Sequence, residues 1–161
     1  MIRCVFPGSF DPPTAGHMDL IRRAAGMFDR VTVAVMVNIG KAGAIPFEER
    51  VRMLEKACAG LPNVKIDMWK GLLADYVRKQ KGTTVVIRGV RDAAEFEREK
   101  EAAAVNRVLC PGMETLLLPA SDGMSQVSSS TVREIAAFGG DYSFLVPDEI
   151  REDIAQHLGK S

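Results

Sequence analysis

An alternation sustained along the whole chain constrains the fold most: short apolar runs follow one another, each separated from the next by a segment with helical periodicity. "RVTVAVMV" is β-branched and almost wholly apolar, which suits a strand buried on both faces. "RCVF", "VKIDMW", "TTVVIRG" and "METLLL" read as further strands. In "HMDLIRRAAGMF" a helical spacing puts Leu20, Ile21, Ala24 and Phe28 on one face. "PFEERVRMLEKACAG" carries Glu48 and Glu49 in its first turn, where the helix dipole favours negative charge, and Gly60 as its stop. "LLADYVRKQKG", "AAEFEREKEAAAVNRVL", "SSSTVREIAAFGG" and "PDEIREDIAQHLG" read as helices too. The order β-α-β-α-β-α-β-α-β-α-α implies a parallel sheet with right-handed crossovers. The fold expected is α/β: a Rossmann-like three-layer sandwich around a five-stranded parallel sheet, in one domain spanning residues 1–161.

Composition narrows the partners. Lysines plus arginines and aspartates plus glutamates number 21 each, for a formal net charge of zero. That argues against a nucleic-acid binder held by bulk charge, while leaving room for a local cationic pocket. The opening "MIRCVF" is broken at Pro7, too short for a signal peptide, and no apolar run reaches the length of a membrane span. Cys4, Cys58 and Cys110 are far apart, form no CxxC and are expected reduced and packed. A cytoplasmic location is expected.

In a parallel sheet of this kind ligands bind beyond the carboxyl ends of the strands. The informative loops are therefore "PGSFDPPTAGH", "NIGKAGAIPF", "RGVRD" and "PASDGMSQVSSS". The first has neither GxGxxG nor GxxxxGK[ST], so it is not a dinucleotide fingerprint or a Walker loop. It still offers Gly8 and Gly16 for close backbone approach, the Ser9 hydroxyl and amides at a helix start. His17 on that first turn can donate to an anion, more strongly when protonated. Alternatively Asp11 or Thr14 caps the helix and His17 lies idle on the surface. Arg88 and Arg91 in "RGVRD" can grip phosphate oxygens, or pair with Asp92 or Glu95. Ser128, Ser129 and Ser130 suit a polyphosphate, or form an N-cap with spare hydroxyls. Lys41 is a loop cation for an acidic substrate, or simply solvated. Glu99 lies in "EFEREKE", which reads as a charged, solvated face. Each bland reading stands alone, but four loops on one sheet edge each supply a phosphate-compatible group. No activated nucleophile, Ser-His-Asp set or metal cluster accompanies them.

"GSFDPPTAGH" resembles the (T/H)xGH signature of the nucleotidylyltransferase superfamily, as Thr14-Ala15-Gly16-His17, and "VSSSTVR" resembles its ISxTxxR-like signature. Together with "IPFEERVRM" and the more specific "VVIRGVRDAAEFERE", they resemble the bacterial phosphopantetheine adenylyltransferases from the first strand to about Pro147. The resemblance implies transfer of the adenylyl group of ATP to 4′-phosphopantetheine, giving dephospho-coenzyme A and pyrophosphate, with Mg2+ accompanying ATP. It implies a homohexamer, with coenzyme A as feedback inhibitor. His17 matches the catalytic histidine that stabilises the transition state. ATP contacts are implied at Ser9, Phe10, His17, Gly89, Val90, Arg91 and Glu99, and along Met124, Ser125, Gln126, Val127, Ser128, Ser129 and Ser130. Acceptor contacts are implied at Ser9, Lys41, Leu73 and Arg88.

The chain departs from the family pattern at Arg98, where tyrosine is frequent, and at Met124 and Gln126, where some members carry bulkier aromatics. Two rivals remain: another nucleotidylyltransferase, such as a nicotinate-mononucleotide adenylyltransferase or a cytidylyltransferase, and a non-catalytic adenine-nucleotide sensor on the same fold.

Overall fold

The computed structural model describes residues 1–38, 40–82 and 84–159. Ile39 of the expected lysine loop, Thr83 at the expected start of the fourth strand, and the last two residues of the expected domain lie outside them.

The strands are β1 (Arg3–Gly8), β2 (Arg30–Val37), β3 (Val64–Lys70), β4 (Thr84–Val90) and β5 (Glu114–Pro119). The helices are α1 (Ala15–Met27), α2 (Phe47–Ala57), α3 (Leu73–Lys79), α4 (Ala93–Leu109), α5 (Ser129–Ala137) and α6 (Arg151–Leu158). This is the expected order. Two details differ. The second helix ends at Ala57, three residues before Gly60, and the last expected helix is split into a 3-10 turn at Asp148–Ile150 and α6.

All strand pairings are parallel, in the order β3-β2-β1-β4-β5. The sheet is buried on both faces, so its strands are apolar at successive positions. Phe6 and Cys4 of β1 face α1 and α2, in a core with Ile21, Ala24, Val33 and Leu54. Val5, between them, faces the other layer with Ala34 and Tyr76. Val86, Val77 and Met113 extend that second layer. A third cluster, with Tyr142, Ile150 and Ile154, seats α5 and α6 against Ile45 and Met53.

The chain runs outward from β1 to β3, then crosses back to β4 on the other side of β1. This reversal between β1 and β4 is where an open α/β sheet forms a ligand crevice. The register shows how it opens. β1 pairs with β2 as far as Gly8↔Val35, but with β4 only to Val5↔Val86. Beyond that pair the two strands splay apart.

Candidate active site

Three recesses open around the end of β1, two of them along this splay, and Ser9 lines all three. The first, about 250 Å³, lies between α1, the end of β4 and the start of α5. The second, about 390 Å³, runs toward Leu73 and Asn106; the third, about 620 Å³, runs toward Lys41 and Arg133.

His17 stands at the centre of the first. Thr14 is the N-cap of α1: its hydroxyl accepts the His17 backbone N–H at 3.2 Å, and its own N–H donates to His17 Nδ1 at 3.0 Å. This reciprocal capping box fixes the tautomer. Nδ1 is the acceptor, so the ring proton of the neutral imidazole sits on Nε2, the nitrogen left for the cavity. The ring packs 4.8 Å from Phe10, which in turn lies 5.6 Å from Phe6. Burial, followed by the positive charges of Arg88 and Arg91, pushes the His17 pKa down from 6.5 to about 4. The imidazole is therefore a neutral donor near pH 7 rather than the protonated one considered from sequence. Both local readings of the first loop hold in part: Thr14 caps the helix, and His17 faces a cavity.

Arg88 spans the gap where the ladder stops. Its Nη1 donates to the Pro7 carbonyl at 2.7 Å, while Nε and Nη2 donate to the Glu99 carboxylate at 2.9 and 2.7 Å. Of the five N–H groups of a guanidinium, one on each terminal nitrogen remains for a ligand. Glu99, on an exposed-looking charged helix, thus orients Arg88. Arg91 is held by Glu95, through both its backbone N–H at 2.8 Å and its Nε at 3.2 Å. Gly89 brings β4 close to α1, since a Cβ there would lie 2.3 Å from Leu20 Cδ1.

At the start of α5 the serines divide their work. Ser128 Oγ caps the helix, accepting the Thr131 N–H at 3.1 Å. Ser129 Oγ donates to the Pro12 carbonyl at 2.7 Å, tying α5 to the first loop. Ser128 and Ser129 line the cavity, and the first-turn backbone N–H groups of this helix have no intrahelical acceptor.

The structure brings most sequence-nominated residues together. Ser9, Phe10, His17, Arg88, Gly89, Val90, Arg91, Glu99, Met124, Val127, Ser128 and Ser129 all line the first recess. The Phe10 ring is buried beneath His17 and serves as its support. Leu73 lines the second recess and Lys41 the third. Ser125, Gln126 and Ser130 are exposed and line none of the three.

Residues the sequence did not single out include Asp19, whose carboxylate accepts from Ser121 Oγ at 2.7 Å and steadies the last loop, and buried Arg50. Arg133 was discoverable, since it is the arginine of "VSSSTVR". Arg50 lies in "IPFEERVRM", which the family resemblance includes, but an arginine in "EERVRM" looks solvated.

A parallel sheet whose switch point gathers helix starts, arginines and a neutral histidine around one cleft defines a nucleotidyltransferase-type site. A family model described as cytidylyltransferase-like matches residues 5–135. The chain belongs to that family, and within it to the phosphopantetheine adenylyltransferases. Proteins of that name from Clostridium perfringens (strain SM101 / Type A), Rubrobacter xylanophilus and Finegoldia magna are 46%, 47% and 48% identical to it. The matches cover 96%, 98% and 97% of this chain and 93%, 95% and 96% of theirs. Among solved structures, the NadR protein in complex with NAD and AMP-PNP shares the fold with a TM-score of 0.65 at 20% identity. That match covers 92% of this chain, which spans 45% of the NadR chain.

Proposed function

We propose that the chain transfers the adenylyl group of ATP to 4′-phosphopantetheine, releasing pyrophosphate and forming dephospho-coenzyme A, a step of coenzyme A biosynthesis. The observation that carries this reading is the recess at the β1/β4 splay, where His17, Arg88, Arg91 and two helix starts converge. Among the described residues that line it there is no cysteine. Burial raises the thiol pKa of Cys4 to about 12 and of Cys58 to about 11, and Cys110 is buried too. The Ser128 and Ser129 hydroxyls hold structure.

The acceptor needs no enzyme nucleophile. A phosphate monoester has a second pKa of about 6, so it is largely dianionic near neutral pH. One of its oxygens attacks the α-phosphorus of ATP, a P–O bond forms, and the bond to the pyrophosphate oxygen breaks. The protein supplies position and charge stabilisation. His17 donates from Nε2 to the α-phosphate as charge builds there. Arg91 and the α5 amides hold the outer phosphates, Ser9 and Lys41 hold the acceptor phosphate, and Leu73 packs on the pantetheine arm. Arg88, lining both the first and second recesses, sits between donor and acceptor.

Mg2+ accompanies the triphosphate and offsets charge on the pyrophosphate it leaves as. Glu99 and Glu95 are each engaged by an arginine, so this donor set fits a cation carried by phosphate oxygens and water better than a protein cage. Residues 1–161 act as one adenylyltransferase domain. We place it in the cytoplasm, where its substrates are made; no helix among the described residues is long and apolar enough to cross a membrane. Apolar surface on α4 and the edge strand β5, where Phe96, Val105, Val108 and Leu116 are exposed, supports self-association, and a homohexamer is the assembly the family resemblance implies. Coenzyme A, which extends the product by one phosphate, shares the product's recognition elements and is the feedback inhibitor the family resemblance implies.

Incubation with ATP, Mg2+ and phosphopantetheine, with the product identified by mass, tests the reading. Dephospho-coenzyme A is expected. Turnover with nicotinate mononucleotide in its place would transfer the assignment to the rival adenylyltransferase. ATP binding without turnover on any acceptor would make the chain a sensor.

A further inference from the structure

Lys41 sits in a stretch, residues 40–46, that contains neither helix nor strand. A lysine there could hold an acceptor phosphate in line only if its backbone were fixed by something else. The structure supplies one device. Arg50, from α2, is 2% exposed and Asp11, from the first loop, 6%. The Asp11 carboxylate accepts the N–H groups of Ala44 and Ile45, both at 2.9 Å. The Arg50 guanidinium lies 3.5 Å from the same carboxylate and fans out to three carbonyls. Its Nε donates to Ile45 at 2.8 Å, Nη2 to Ala42 at 3.0 Å and Nη1 to Ser9 at 3.0 Å. Among the described residues, the hydrogen bonds made by the backbone of Ala42, Ala44 and Ile45 all run to Asp11 or Arg50.

Gly43 shows how tightly the loop is drawn in. It has φ +76, and a Cβ there would lie 2.0 Å from Arg50 Nη2 and 2.6 Å from Asp11 Oδ2. The guanidinium also stacks 4.2 Å from the centre of the Phe47 ring. Arg133, from α5, adds a 2.5 Å bond to the Asp11 carbonyl. Asp11 and Arg50 thus join the Ser9 turn, the Lys41 loop and α2, and Arg133 adds α5 through the Asp11 carbonyl.

We propose that Arg50 is a positioning residue for adenylyl transfer, clasping the Lys41 loop to the Ser9 turn so that hydroxyl and ammonium converge on one acceptor phosphate. The proposal rests on Lys41 as the anchor of that phosphate. Arginine is required because the guanidinium sends rigid, diverging N–H groups to both loops at once, which the point charge of lysine does not reproduce.

Steady-state constants of Arg50→Lys, Gly43→Ala, Lys41→Ala and the Arg50→Lys/Lys41→Ala double variant test it, each beside a melting temperature and an ATP dissociation constant. Arg50→Lys keeps the charge; Gly43→Ala keeps both charges and pushes the clasp apart, because the added Cβ would meet Arg50 Nη2 at 2.0 Å and Asp11 Oδ2 at 2.6 Å. Each is expected to raise KM for phosphopantetheine by about tenfold or more, with ATP affinity essentially unchanged. Combined with Lys41→Ala, Arg50→Lys is expected to add less than its own effect. A purely structural role would lower the melting temperature and the active fraction while leaving the acceptor KM at the wild-type value. If Lys41→Ala raises that KM but Arg50→Lys and Gly43→Ala do not, the clasp is overturned and the anchor stands. If Lys41→Ala leaves it unmoved, the anchor is overturned and the clasp with it. Should the Arg50 and Gly43 variants fail to fold, hydrogen exchange in the wild-type enzyme decides. The amides of Ala44 and Ile45 are expected to exchange as slowly as those of α2, and exchange at the unprotected rate would overturn the clasp.

Discussion

The two walls of the cleft are built differently. The nucleotide wall stands on regular structure: His17 is locked into a capping box on α1, Ser128 caps α5, Gly89 lies at the end of β4 and Arg91 follows it directly. Its caps and the Arg91–Glu95 contact reach only a few residues along the chain, while Ser129 and Arg88 also tie it to the first loop and to β1. The acceptor wall stands on a loop tied down by side chains from elsewhere, with Asp11 more than thirty positions away. Short-range caps survive loss of a distant contact, whereas a loop held by one buried pair does not. Damage to the nucleotide wall should therefore appear in turnover, and damage to the acceptor wall in the acceptor KM.

The largest effect is expected at His17. His17→Ala removes the Nε2 donor, and turnover should fall by roughly 10² or more with ATP affinity little changed. Near-normal turnover would take His17 out of the reaction. Next comes Lys41→Ala, which deletes a charge-assisted contact. The KM for phosphopantetheine should rise about 10- to 100-fold, far more than that for ATP. Equal shifts in both constants would erase the distinction between the walls. Glu99→Gln probes the boundary, because Arg88 lines recesses on both sides. Loosening its bidentate partner should weaken both substrates, by about tenfold at most. An effect on one substrate alone would assign Arg88 to that wall.

The smallest effect concerns pH. His17 has a folded pKa pushed from 6.5 to about 4, so its neutral form belongs to the folded state. Between these values the unfolded chain takes up a proton that the folded chain refuses. Stability should therefore fall as pH drops from about 6.5 toward 4, and His17→Gln should flatten that slope. Denaturation midpoints at pH 7 and pH 5 for both proteins measure this; parallel slopes would contradict the buried neutral imidazole.

The same contrast explains what could be read from the sequence. Strand and helix order was legible because a doubly buried parallel sheet forces apolar runs such as "RVTVAVMV", and the crossovers force amphipathic segments between them. The nucleotide wall was legible because its parts lie at helix and strand ends, where "PPTAGH" and "VSSS" announce themselves. The partnerships were not. Glu99 sits in a run of charges on a helix with no buried residue, and only coordinates reveal that it grips Arg88 eleven positions away. Arg50 looks like any helix-surface arginine until the fold brings Asp11 to it. The role expected of the Ser128 and Ser129 hydroxyls also needed coordinates, because an N-cap and a ligand contact call for the same residue type.

The central claim is that the acceptor phosphate displaces pyrophosphate directly, with no covalent enzyme intermediate. The stereochemistry at the α-phosphorus tests it most directly, using ATP made chiral there with one sulfur-substituted oxygen. A single in-line displacement predicts dephospho-coenzyme A with the configuration inverted. Retention of configuration would mean two displacements, and hence a nucleophile that the cleft as described does not contain.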